Sequence, residues 1–110
     1  METEYIKVGL FSELREGRAR KVTVGDHEVA LWRVGGKLYA VGNVCAHQHF
    51  SMIHQGTVEG QIVRCPMHGW EYSLETGTAV SGNGTIPVFE VKLDGESVLI
   101  SREPRMRGKT

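Results

Sequence analysis

Two short segments hold the residues best suited to metal chemistry, Cys45-Ala46-His47 and Cys65-Pro66-Met67-His68. Each places a thiolate and an imidazole within one loop's reach of a common point. Together they offer two sulfur and two nitrogen ligands, a set that suits a tetrahedral Zn²⁺ or an iron–sulfur cluster. A structural zinc site usually draws cysteines from one knuckle and histidines from another, two to four residues apart. Here each segment carries one of each, and a single residue separates the first pair. A centre with two irons has a simple use for two mixed pairs, because one iron can take both cysteines and the other both histidines. The spacing leans towards iron and sulfide and leaves zinc open. In a secreted chain, two cysteines would suggest one disulfide. In a reducing compartment a metal-binding pair, or two buried thiols, is the better reading.

These segments need a scaffold, and the flanking sequence reads as antiparallel β-structure. Tyr5 to Val8 alternates. Ser12 to Gly17 reads as one helical turn, with Ser12 as N-cap and Gly17 as terminator. Ala19 to Val24 and Glu28 to Val34 are strands about a Gly25-Asp26 turn, and Gly35-Gly36 is a hairpin signal before a returning strand, Lys37 to Val41. Near the other end, Val88 to Leu93 reads as one strand, Asp94-Gly95 as a turn and Val98 to Ile100 as its return. No segment sustains a helical apolar period. Both cysteines and most of the histidines fall between Gly42 and Gly84, among several glycines. The expected architecture is therefore all-β: a single domain over 1–110, with a base from about 1–41 and 85–101 and a loop-rich insert over 42–84. The tail 102–110 is expected to be flexible.

Bulk properties narrow the function. A chain of 110 residues suits one domain with one modest core, and 40% hydrophobic and 24% charged residues are globular values. Thirteen basic and thirteen acidic side chains cancel, which argues against nucleic acid or an anionic membrane as partner. The N-terminus is acidic and fits no secretory signal, and no run spans a bilayer. A soluble, cytoplasmic protein is expected.

Cys45-x-His47, the glycines Gly56 and Gly60, and Cys65-Pro66-x-His68-Gly69-Trp70 resemble the Rieske signature, with Tyr72 and Gly77 continuing its downstream pattern. The resemblance covers nearly the whole chain. It implies a Rieske [2Fe–2S] cluster whose inner iron is bound by Cys45 and Cys65 and whose outer iron is bound by His47 and His68. Two ferric ions, two sulfides and two thiolates sum to zero, so such a cluster accepts an electron more readily than one with four thiolates. Rieske centres accordingly span roughly −150 to +300 mV, against about −400 mV for plant-type ferredoxins. The high-potential respiratory members carry an extra cysteine in each loop, a serine two residues after the second histidine ligand, and a tyrosine two further on. This chain has no spare cysteine and has Trp70 at the serine position, while Tyr72 matches. A low potential is expected, with one contact, from Tyr72 to the sulfur of Cys45, raising it.

By the same resemblance the chain is a non-catalytic electron-transfer component, resembling ferredoxins that serve ring-hydroxylating dioxygenases. It would receive electrons from a flavin-dependent reductase and pass them to a terminal oxygenase. Two alternatives stand beside this: the small subunit of an assimilatory nitrite reductase, and a structural zinc-binding module. His49 lies where relatives often have glycine and could compete with His47 as a ligand. His54 reads as a surface residue, or as a proton-linked neighbour of the cluster, and His27 has no assigned function. Of Phe50, Met52, Ile53, Met67 and Trp70, most are expected to pack beneath the loops.

Overall fold

A computed structural model describes residues 4–43, 53–66, 70–81 and 84–104. In chain order the strands are β1 (Tyr5–Leu10), β2 (Arg18–Val24), β3 (His27–Val34), β4 (Lys37–Gly42), β5 (Thr57–Glu59), β6 (Ile62–Arg64), β7 (Glu71–Ser73), β8 (Ala79–Ser81), β9 (Val88–Phe89), β10 (Val91–Asp94) and β11 (Ser97–Ser101). They form three antiparallel sheets, ordered β1-β11-β10, β2-β3-β4-β9 and β5-β6-β7-β8. Among the described residues no helix is long and apolar enough to cross a membrane.

The β2-β3-β4-β9 sheet is the middle layer, and strand periodicity explains how it serves two cores. Successive side chains of a strand point to opposite faces. From β3, Ala30 and Trp32 enter a core with Tyr39, Val41 and Val88, completed by Ile53, Val63, Cys65, Tyr72 and Leu74. Val29 and Leu31 enter a second core with Ala40 and Phe89, completed by Leu14, Val24, Val98 and Ile100. Both faces of β3 are covered, which is why Val29-Ala30-Leu31-Trp32 reads as a continuous apolar run. Each fully buried Val, Leu or Ile contributes about 1.5–3 kcal/mol.

Gly35 and Gly36 join β3 to β4 with φ of 61° and 78°, the positive values a two-residue type I′ turn requires. Glu16 caps this turn, its carboxylate accepting the N–H of Gly35 and, at 3.2 Å, that of Gly36. The Gly35 bond, then the Gly36 bond, and then Arg33 hold the Glu16 carboxyl below the usual carboxylate range. A carboxyl with a depressed folded pKa stabilises the fold above its unfolded value, and that stabilisation is lost as pH falls through the folded value. Glu16→Gln should therefore unfold at lower denaturant concentration than wild type at neutral pH. The difference should close only as pH falls below the ordinary glutamate range and through the depressed folded value, beneath which the carboxyl is protonated in both states. Urea melts across pH check this.

The structure departs from the sequence expectations in four places. The helical turn is 3₁₀ and spans Phe11–Glu13, with Leu10 rather than Ser12 at its start. It ends before Gly17 because Leu14 turns inward to the core. The expected strand Val88 to Leu93 is two strands in two sheets. Phe89 pairs with Ala40, Val91 pairs with Ile100, and Glu90 between them exchanges backbone and hydroxyl bonds with Ser101. The last hairpin turns at Gly95 and Glu96, with Asp94 paired to Ser97. Finally, the described part of the insert is a four-stranded meander, whose three-residue strands are too short to show alternation. At the other end, Arg102 N–H donates to Glu4 O at 2.8 Å.

Candidate metal centre

The site is built on two loop necks. β4 ends at Gly42, and Asn43 begins the segment that carries Cys45 and His47. The chain returns at Ile53, the first residue of a 3₁₀ turn Ile53–Gln55. Ile53 N–H donates to Asn43 O at 3.0 Å, closing this neck. The second neck follows β6, where Cys65 N–H donates to Trp70 O at 2.7 Å and closes the segment that carries His68. Cys65 therefore stands at the base of its loop.

The necks are held side by side. Gly56 N–H donates to Ile53 O at 3.0 Å, and Thr57 pairs with Arg64. Gly56 lies so close to the second neck that a Cβ on it would stand 2.2 Å from Arg64 O. A side chain of any kind is excluded there, which is the physical need for glycine. Between the necks lies a cavity of about 210 Å³ lined by Gln55, Gly56, Thr57, Arg64, Cys65 and Pro66.

Cys65 is fully buried, in the same core as Ile53, Val63, Tyr72 and Leu74, with half-buried Trp70 packed against it. A soft thiol donor with an apolar core on one side and a cavity beside a second loop base on the other fits an iron–sulfur or zinc centre, because hydrophobic surroundings limit solvent access to the metal. Cys45, His47 and His68, and also His49, Phe50, Met52 and Met67, lie outside the described residues. Among the described residues, no three His, Cys, Asp or Glu side chains cluster to hold a metal ion.

Asn43, at the base of the Cys45 segment, is a residue that the sequence reading did not single out. It is fully buried, yet every polar group it has is engaged. Its N–H donates to Glu28 O at 2.9 Å, and its Nδ2 donates to Glu28 Oε1 at 3.3 Å. Its Oδ1 accepts His54 N–H at 2.6 Å and lies 3.1 Å from His54 Nδ1. A buried amide left without partners would cost about 1–3 kcal/mol. The available signal was a polar residue just after an apolar strand, where a loop must be tied. His54, expected on the surface, is partly buried through this contact. It also lines a cavity of about 320 Å³ with Arg15, Arg18, Trp32 and Gln55. His27 packs edge-on against Phe89, ring centroids 5.3 Å apart, and lies 3.6 Å from Glu103.

Residues 4–92 match the Rieske [2Fe-2S] domain. The chain belongs to the Rieske [2Fe–2S] family. Two relatives extend the match to nearly the full Rieske chain. The ferredoxin component of the alkene monooxygenase system of Xanthobacter autotrophicus is 32% identical, over 94% of this chain and 85% of its own length. Ferredoxin CarAc of Metapseudomonas resinovorans is 32% identical, over 96% of this chain and all of its own. A chain from the complex of reduced oxygenase and oxidized ferredoxin in carbazole 1,9a-dioxygenase superposes with a TM-score of 0.87 at 30% identity, covering 96% of this chain and all of that one. An NADH-dependent nitrite reductase small subunit from Mycobacterium tuberculosis shares the Rieske fold, with a TM-score of 0.88 at 21% identity over 96% of this chain and all of that one.

Proposed function

We propose that this chain is the ferredoxin component of a multicomponent oxygenase, a one-electron carrier between a flavin-dependent reductase and a terminal oxygenase. In this reading one [2Fe–2S] cluster is held by Cys45 and Cys65 through one iron and by His47 and His68 through the other. When bound, the cluster supplies reversible one-electron chemistry at a potential set by nearby hydrogen bonds and solvent access. The reading is supported most by the end-to-end likeness to ferredoxin components, combined with two adjacent loop necks that meet at a buried cysteine.

The polypeptide's own work is to hold and to shield. Ile53, Val63, Tyr72 and Leu74 keep water from the buried side of Cys65. The necks fix the bases of both ligand-bearing segments. No residue is assigned a catalytic role, so the substrate chemistry belongs to the terminal enzyme. The proposal takes the chain as one Rieske domain, with a base over about 1–41 and 85–101 and a cluster-binding insert over 42–84, working in the cytoplasm.

Film voltammetry across pH, beside a visible spectrum and metal analysis, tests this reading. The expected protein is coloured, holds two irons, and gives a wave near or below about −100 mV that is flat through neutral pH. A positive potential that falls as pH rises would instead indicate a respiratory-type role. A colourless protein with one zinc and no wave overturns the reading. Copurification with a large flavin- and haem-containing chain would turn the mobile carrier into a fixed nitrite reductase subunit. Tyr72→Phe keeps the buried ring and removes only the hydroxyl. It should lower the potential while leaving the iron content unchanged, because a hydrogen bond to cluster sulfur favours the reduced, more negative state.

A further inference from the structure

We propose that Asn43 is a positioning residue for the metal centre, acting through the 44–52 segment to set where Cys45 and His47 stand. The proposal rests on the ligand reading given above. Asn43 ties both ends of that segment with one side chain and one carbonyl. Its backbone O accepts from Ile53 and its Oδ1 accepts from His54, at 3.0 and 2.6 Å. The residue is itself anchored to the scaffold on β3 by two bonds to Glu28. Glu28 in turn is 3.7 Å from Lys21 Nζ on β2. The line Lys21–Glu28–Asn43–His54 therefore runs from the scaffold to the base of the cluster segment.

Position makes this a matter of the centre as well as of stability. Asn43 precedes Cys45 by two residues, so a single residue of chain separates the anchored position from the first cysteine of the proposed ligand set. Hydrogen bonds around the sulfurs and the orientation of ligands set the potential and electronic structure of such centres. A residue that merely filled space at this place would be apolar, since a buried amide is tolerated only with its partners in place.

The test compares Asn43→Ala, Asn43→Asp, Glu28→Gln and the Asn43→Asp/Glu28→Gln double variant. In Asn43→Ala, exchange of the His54 amide hydrogen, which loses its Oδ1 acceptor, should quicken at least about tenfold, as for a lost buried bond, while Val98 and Ile100 stay protected. The iron that remains should show a lower potential and an altered electron paramagnetic resonance spectrum. Asn43→Asp keeps the acceptor for His54 but sets a carboxylate against Glu28, so it should shift both readouts. Glu28→Gln alone leaves an acceptor for Asn43 and should resemble wild type. The double variant restores a donor–acceptor pair and should return potential and spectrum to wild type. If Asn43→Ala and Asn43→Asp keep the wild-type potential and spectrum and lose only melting temperature, Asn43 is structural and the proposal is overturned. A wild-type protein without iron would defeat the ligand reading and this proposal with it. The exchange data would then separate that failure from a failure of Asn43 to hold the loop base.

Discussion

Cys65→Ala should yield a colourless, iron-free protein whose β-scaffold still folds. The thiol is fully buried at the neck of its loop, and its removal deletes half of the sulfur donors assigned to one iron. No nearby described side chain can replace it, because no other cysteine is present among the described residues. The scaffold's second core contains neither Cys65 nor any residue of the β5-β6-β7-β8 sheet, so far-UV circular dichroism should persist. The cavity left by one sulfur is small and costs about 1 kcal/mol relative to iron-free wild type by the volume rule for core truncation, while loss of the cluster's binding energy adds to this relative to the loaded protein. Visible absorption, iron analysis and circular dichroism on one preparation check all three statements. Full iron content in this variant would mean that the ligand set is wrong.

Gly56→Ala should lose both stability and iron, although residue 56 has no ligand atom. The new Cβ would stand 2.2 Å from Arg64 O, 3.1 Å from Arg64 C and 3.2 Å from Ile53 O. These are backbone atoms of the two necks, and they cannot rotate away as a flexible side chain could. Relief requires the Ile53–Gln55 turn to move off β6, which separates the bases of the two ligand segments. Overpacking of this kind costs about 3 kcal/mol or more, at the upper end of the usual range. The expected result is a lower urea midpoint and a fall in iron content in the same variant. A wild-type midpoint with full iron would show that the necks need not touch.

Much of the scaffold was legible from local chemistry. The Gly25-Asp26 and Gly35-Gly36 turns, and the strands beside them, follow from alternation bounded by glycine, which needs no knowledge of partners. The break at Glu90 was not legible, because alternation runs on from Phe89 to Leu93 while the pairing partner changes from β4 to β11. A period reports which face a residue takes and is silent about which strand lies beside it. The insert's strands were hidden for a different reason, since three residues hold too little pattern to recognise. At the site, the two mixed Cys/His pairs stood out by residue type and spacing. Asn43 and the close approach of Gly56 did not, because each matters through a neighbour distant in sequence, Glu28 in one case and Arg64 in the other.

The two-faced middle sheet gives protein engineers a parity rule. On β3, the even positions Ala30 and Trp32 look towards the centre, and the odd positions Val29 and Leu31 look away. On β4 the parity reverses, with Tyr39 and Val41 towards the centre and Ala40 away. Substitutions confined to the far side are expected to change heat tolerance without touching the core that holds Cys65, whereas near-side substitutions reach that core directly. One sheet thus separates the two kinds of change by a single residue along the same strand.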